Sequence, residues 1–274
     1  MNVKNILIGT DFSECSETAI SFALAMAKKL GADLHIMHSM TSTFSITLGR
    51  ILERLITEEQ FREVKVNTIT EIGDPGSSIL RQIKEVKADL VVMGSKGKSG
   101  ARKFMGSTTT EVISKSGVPI LAIPENSSYS GLGDIVFMTD FNEGDLSALK
   151  EILQWARYFK AQLHVLHLFT EDSLQELIKF RGFKEVAKET IEYEKLSFER
   201  IFNPSFDEGF FNYLDTRSPQ LVVLTRYKKT FFQKLRETDH TRNIGFESIV
   251  PLLVLPAEQY VEKQLKDSTL KQQI

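Results

Sequence analysis

The sequence predicts an α/β protein of two repeated, doubly wound domains, each a mainly parallel five-stranded sheet with helices on both faces. Three observations carry that expectation. The chain is written twice: Thr10-Asp11-Phe12 recurs as Thr139-Asp140-Phe141, and the register then holds without a gap to His38 and His167. Further on, Leu90–Met93 recurs as Leu221–Leu224, and Val118-Pro119 as Val250-Pro251. Self-similarity on this scale means two homologous domains. The second observation is alternation of short apolar runs with segments of helical spacing. The third is that the inner runs are apolar throughout, as in strands buried on both faces of a parallel sheet.

The repeat divides the chain into a first domain at 1–126, a linker at 127–132, a second domain at 133–258 and a polar tail at 259–274. The linker is read from the Ser- and Gly-rich composition of Glu125–Gly133.

Each half opens with a short strand, Ile6–Gly9 or Ile135–Met138. A helix follows, with Ala19, Ile20, Ala23, Leu24, Ala27 and Leu30 on one face and Ala148, Leu149, Ile152, Leu153, Ala156 and Phe159 as their copies. Asp11 with Glu14, and Asp140 with Glu143, have the N-cap and N3 spacing of a helix start. The second strand is Leu34–His38 or Leu163–His167. In the first half a helix is expected over about 46–61, then a strand at 65–72. Asp74-Pro75 opens a further helix as N-cap and N1. Leu90–Met93, a helix from Ser107 and the strand Pro119–Ile123 complete the domain. The second half is less complete: a charged helical stretch within 172–206, a third strand near Ser197–Phe202, and a short helix at about Asp207–Leu214.

Composition excludes several functions. The formal net charge of −2 over 274 residues gives no footprint for nucleic acid or an anionic membrane. The apolar runs are far too short to span a bilayer. The N-terminus reads directly into a strand, without the pattern of a secretory signal. Cys15 is the sole cysteine and cannot form an internal disulfide. A reducing cytoplasm is the expected compartment. His38 and His167 repeat as a strand pair and read as structural.

The chemistry is concentrated between Gly94 and Thr108. A buried strand runs into a loop rich in Gly and Lys, and a helix begins near Ser107. Glycines let a backbone approach an anion, and free N–H groups at a helix start point at it. In a doubly wound sheet ligands bind at the carboxyl ends of strands where strand order reverses. Three segments should meet there: Thr10 and Asp11 after the first strand, Ser39 after the second, and the Gly loop after the fourth. Asp11 could accept from a sugar hydroxyl or a base edge. The N–H groups of Gly97, Gly106, Ser107 and Thr108 could hold phosphates, with Lys96, Lys98, Arg102 and Lys103 adding charge. The copy in the second half lacks these glycines: Thr225, Tyr227 and the pair Phe231 and Phe232 stand against Gly94, Gly97 and Gly106.

These residues resemble the universal stress protein family, and the chain is similar to a tandem member of it. The ATP-binding members of the family carry Gly-x2-Gly-x9-Gly-[Ser/Thr] after the fourth strand and an Asp after the first. Here Gly94, Gly97 and Gly106-Ser107 match, but eight residues rather than nine separate Gly97 from Gly106. The resemblance implies an adenine nucleotide alpha-hydrolase-like fold. It implies ATP, with or without Mg2+, as ligand, contacted by Asp11, Ser39, Met93, Gly94, Gly97, Gly106, Ser107 and Thr108, with Thr10 beside them. It also implies pairing of the last strands in an intrachain pseudo-dimer, or a homodimer. The expected function is a stress-response binding protein that takes an adenine nucleotide in the first domain only. A nucleotide-free interaction scaffold and a slow ATPase are the competing readings. No metal-ligand cluster or catalytic residue is evident.

Overall fold

A computed structural model describes residues 3–40, 62–95, 106–226 and 250–262. The expected helix at 46–61, Gly97 and the lysines around it, and Tyr227, Phe231 and Phe232 lie outside the described residues. The chain divides into two compact units whose main boundary falls between Ser130 and Gly131.

In the first unit the described elements are β1 (Asn5–Thr10), α1 (Glu14–Leu30), β2 (Asp33–Met40), β3 (Val66–Ile72), α2 (Pro75–Glu85), β4 (Leu90–Gly94), α3 (Ser107–Lys115) and β5 (Ile120–Ile123). Strand order is β3-β2-β1-β4-β5. The pairs are parallel, with Ile6 opposite both Leu34 and Leu90, and Val91 opposite Ile120. Order therefore reverses between β1 and β4. The inner strands are buried on both faces, as their unbroken apolar sequence requires: Ile6, Leu7, Ile8, Leu90, Val91 and Val92 have no exposed surface. Each such side chain contributes about 1.5–3 kcal/mol relative to exposure.

The second unit repeats the plan with β6 (Asp134–Met138), α4 (Asp145–Phe159), β7 (Gln162–Phe169), α5 (Leu174–Thr190), β8 (Leu196–Phe202), α6 (Phe206–Arg217), β9 (Leu221–Arg226) and β10 (Leu252–Pro256). The order is β10-β9-β6-β7-β8, with Ile135 opposite Leu163 and Leu221 in parallel register. The weakly signalled third strand is thus present. It is an edge strand, half-exposed along its length, which is why its pattern is weak.

Helix starts separate into one expectation met and two corrected. Asp74 caps α2, accepting from the Ser77 N–H at 2.8 Å, with Pro75 in the first turn. Asp11 and Asp140 are not N-caps. The cap of α1 is Ser13, whose hydroxyl accepts from the Ser16 N–H. The cap of α4 is Gly144, in the left-handed conformation at φ 96°, with no side-chain bond. The cause lies one residue after each aspartate. Phe12 and Phe141 both take φ 59°, so the chain turns before the helix can begin. The threonine hydroxyl holds that turn, accepting from the Phe12 N–H at 3.1 Å and the Phe141 N–H at 2.9 Å.

Candidate functional site

The end of β1 is organised by Thr10. Its hydroxyl bonds to Phe12 N–H and lies 3.0 Å from the Ser16 hydroxyl, and its carbonyl lies 2.8 Å from His38 Nδ1. The Phe12 and His38 rings pack with centroids 4.3 Å apart. The second unit repeats this arrangement with His167 Nδ1 2.9 Å from the Thr139 carbonyl and Phe141 4.4 Å from His167. Both histidines therefore have structural positions. Asp11 is exposed, and its Oδ1 accepts from the Ser13 N–H at 3.0 Å and the Ser13 hydroxyl at 2.6 Å. It orients the cap without being the cap.

Ser39, near the end of β2, donates to the Gly73 carbonyl at 2.7 Å. Met93 is 5 % exposed in β4. Gly94 ends that strand against the start of α1. A Cβ there would lie 2.9 Å from Cys15 Sγ and 3.2 Å from the Cys15 carbonyl oxygen. The glycine is needed for helix-to-strand approach, whatever else it does. Cys15 is buried, its Sγ 3.6 Å from the Ile123 carbonyl.

The start of α3 is fastened to the end of β4. The Thr109 hydroxyl donates to the Gly94 carbonyl at 2.9 Å, and the Gly106 N–H donates to the Ser95 carbonyl at 2.7 Å. The second bond takes one of the N–H groups expected to face a phosphate. Gly106 is the N-cap at φ −62° and ψ 156°, a backbone open to any residue. Its carbonyl accepts the first helical bond, from Thr110 N–H. The Ser107 and Thr108 N–H groups have no partner among the described residues, as the first turn of a helix leaves them. The topology thus places Asp11, Gly94, Ser107 and Thr108 at the carboxyl ends of β1 and β4, across the reversal in strand order. Gly97 lies outside the described residues.

The matching place in the second unit is a pocket. Its lining includes Thr139, Asp140, Asn142 and Asp145 beside the apolar Leu166, Leu168 and Phe206. Thr225, at the end of β9, also lines it. Asp145 replaces Ser16 of the repeat and is 1 % exposed. Its Oδ2 accepts from the Thr139 hydroxyl at 2.7 Å and the Asn142 N–H at 2.9 Å. The sequence reading passed over Asp145. The signal available to it was a carboxylate standing where the repeat has a hydroxyl, in the first turn of an equivalent helix.

A second cluster also went unread, although His35 and His164 repeat as plainly as His38 and His167. His164 Nε2 is 3.2 Å from Asp134 Oδ2, and Nδ1 is 2.6 Å from the Ser197 hydroxyl and 3.0 Å from Glu199 Oε1. Arg217 pairs with Glu199, tying α6 to β8. Burial, reinforced by the Glu199 charge, pushes the nearby Tyr213 phenol up to about 12. The counterpart of His164 in the first unit, His35, lies 3.3 Å from Asn5 Oδ1, and burial lowers its pKa. No group of three or more metal-binding side chains occurs among the described residues. No helix among them is long and apolar enough to cross a membrane.

Known proteins share this plan. Residues 2–124 match the Universal stress protein family. Universal stress protein MJ0577 of Methanocaldococcus jannaschii is 27% identical over 157 residues, which span 46% of this chain and 97% of that protein. The crystal structure of a universal stress protein from Archaeoglobus fulgidus matches 92% of this chain and 96% of its own, at TM-score 0.67 and 18% identity. A universal stress protein solved in complex with cAMP aligns with 46% of this chain and the whole of its own, at TM-score 0.40 and 23% identity. The two-fold repeat, the strand order of each unit and the match over 2–124 lead to one conclusion: residues 2–124 form a domain of the universal stress protein family, and the second unit repeats its strand order.

Proposed function

We propose that this protein is a cytoplasmic stress-response binding protein that holds ATP, or another adenine nucleotide, in its first domain only. The observation that supports this most is the start of α3. Two N–H groups without partners among the described residues stand where strand order reverses, clamped there by Thr109 and Gly106. Ser107 adds a hydroxyl, and Asp11 is exposed at the end of β1 for a ribose or base. In the second domain Asp145, in the first turn of α4, puts a buried negative charge at the ends of the corresponding strands. A phosphate there would meet that buried carboxylate, which disfavours it.

Calorimetric titration of ATP into nucleotide-stripped protein tests the reading, with one site per chain expected. Two sites per chain, or none, would overturn it. Ser107→Pro refines the test. Proline is well placed at the first helical position, and Gly106 already has the extended backbone that precedes it. The variant removes one N–H and one hydroxyl while keeping the helix. An affinity loss of at least about tenfold is expected for a charge-assisted contact.

The scaffold reading has one observation in its favour, the Gly106 N–H already committed to Ser95. It predicts no heat of ATP binding at all. Release of ADP or AMP during incubation with ATP would instead favour a slow ATPase.

A further inference from the structure

The pocket of the second domain is independent of the nucleotide reading, since none of its lining belongs to the first domain. It sits at the carboxyl ends of β6, β7 and β9, again where strand order reverses. Its lining combines Asp140, Asp145 and Thr225 with the apolar Leu166, Leu168 and Phe206. Thr225 is 6 % exposed, and its hydroxyl is buried without a hydrogen-bond partner. Leaving such a group unsatisfied is costly. The cost is avoidable, because valine has nearly the same shape. The first domain has Gly94 at this position, so the hydroxyl belongs to this domain alone. No cationic side chain is among the described residues lining the pocket.

We propose that this pocket binds a small organic ammonium ion with a compact apolar body. The ammonium would donate to the carboxylates of Asp145 and Asp140 and to Thr225 Oγ1, and the alkyl part would lie against Leu166, Leu168 and Phe206. An ammonium has three donors and no acceptor, which suits two carboxylates and a hydroxyl. A carboxylate or phosphate of the same size would face two like charges and be excluded.

The test uses the full chain and three probes of nearly one shape: isobutylammonium, isobutanol and isobutyrate. Each is titrated while backbone amide NMR shifts are followed. The expected result is saturable binding of isobutylammonium with shifts around Thr139–Asp145 and Thr225. Isobutanol should bind at least about tenfold more weakly, in proportion to the lost charge-assisted bonds. Isobutyrate should give no saturable shift. Thr225→Val should weaken the amine by about fivefold or more, and Asp145→Asn should abolish binding. Should Asp145→Asn fail to fold, Asp140→Asn serves in its place and should weaken binding measurably. Absence of saturation by the amine, equal affinity for the alcohol, or unchanged affinity in both Thr225→Val and Asp140→Asn would overturn the proposal. ATP should not displace the amine. Displacement by ATP would overturn both this assignment and the one-site nucleotide reading, whereas failure of ATP to bind anywhere would overturn only the latter.

Discussion

The start of α1 and the start of α4 descend from one design and have exchanged a glycine. Up to the phenylalanine the two turns are alike: the same threonine bond, the same histidine contact and the same φ of 59°. Then they part. In the first domain the strand supplies glycine, Gly94, and the helix supplies a side chain, Cys15. In the second the strand supplies a side chain, Thr225, and the helix position matching Cys15 is Gly144. A strand end and a helix start this close leave room for one Cβ, not two: a Cβ on Gly94 would lie 2.9 Å from Cys15 Sγ. The helix pays no regularity in the first domain, beginning at Glu14. In the second it begins two positions later in the repeat, at Asp145, after a left-handed Gly144. What the exchange teaches is that steric complementarity was kept while the chemistry of the site changed. One domain keeps the Ser16 hydroxyl and Gly94 at this place, and the other puts a buried carboxylate and an orphaned hydroxyl there.

The most direct way to break the comparison is Gly94→Thr, which gives the first domain both side chains. The Cys15 backbone as well as its sulfur stands in the way, so a loss of about 3 kcal/mol is expected, at the upper end for overpacking. Urea unfolding would measure it. Gly94→Thr with Cys15→Gly should recover at least about 1 kcal/mol, since contacting sites are coupled. Additive losses would refute the exchange.

The next effect concerns alkaline pH and only the second domain. The Tyr213 phenol is held up to about 12 by burial and the Glu199 charge, against an ordinary value of 10.0. Its folded pKa exceeds its unfolded one, so the neutral form is favoured in the fold. That stability is fully present below pH 10.0 and is lost as pH rises toward about 12. The loss is on the order of 2 kcal/mol. Tyr213→Phe should remove its share of the pH dependence, leaving that of Tyr193 and Tyr260, whose phenols burial also pushes up. The substitution should cost little at neutral pH, because the buried hydroxyl makes no hydrogen bond of good geometry, Arg217 being its nearest charged neighbour. A Tyr213→Phe variant that unfolds with the wild-type alkaline midpoint would refute this.

A smaller effect separates cap from neighbour. Ser13→Ala should destabilise the first domain by about 1 kcal/mol, the ordinary cost of losing a cap. Asp11→Ala should cost less, because Asp11 holds the Ser13 side chain and backbone without itself capping the helix. A larger loss for Asp11→Ala in thermal unfolding would restore Asp11 as the cap.

The smallest effect lies at the far ends of the same helices. Both α1 and α4 end in a left-handed residue, Gly31 at φ 66° and Lys160 at φ 55°. Glycine takes that conformation without strain and lysine does not. Lys160→Gly should therefore stabilise the second domain by about 0.5–1 kcal/mol. A drop in its unfolding midpoint would show that the lysine stem contributes more than its backbone costs.

The sequence by itself determined the repeat, the α/β class and nearly every described strand and helix. Each rests on local pattern: solid apolar runs for strands buried on two faces, helical spacing for α1 and α4, and Asp74-Pro75 for a helix start. It also placed the candidate site at the ends of β1 and β4, because the doubly wound order follows from alternation of strand and helix. The tertiary structure decided what local pattern cannot hold. Asp11 matches the N-cap spacing, but Phe12 turns left-handed, and phenylalanine carries no signal for that; the threonine hydroxyl and the His38 ring impose it. Gly106 has the composition of a phosphate loop, yet its N–H is taken by Ser95, eleven positions away in the chain. Asp145, Thr225 and the His164 cluster acquire meaning only when strands distant in sequence bring them together. A side chain's neighbours along the chain fix its element. Its hydrogen-bond partners, its burial and therefore its chemistry are fixed by residues that only folding brings near.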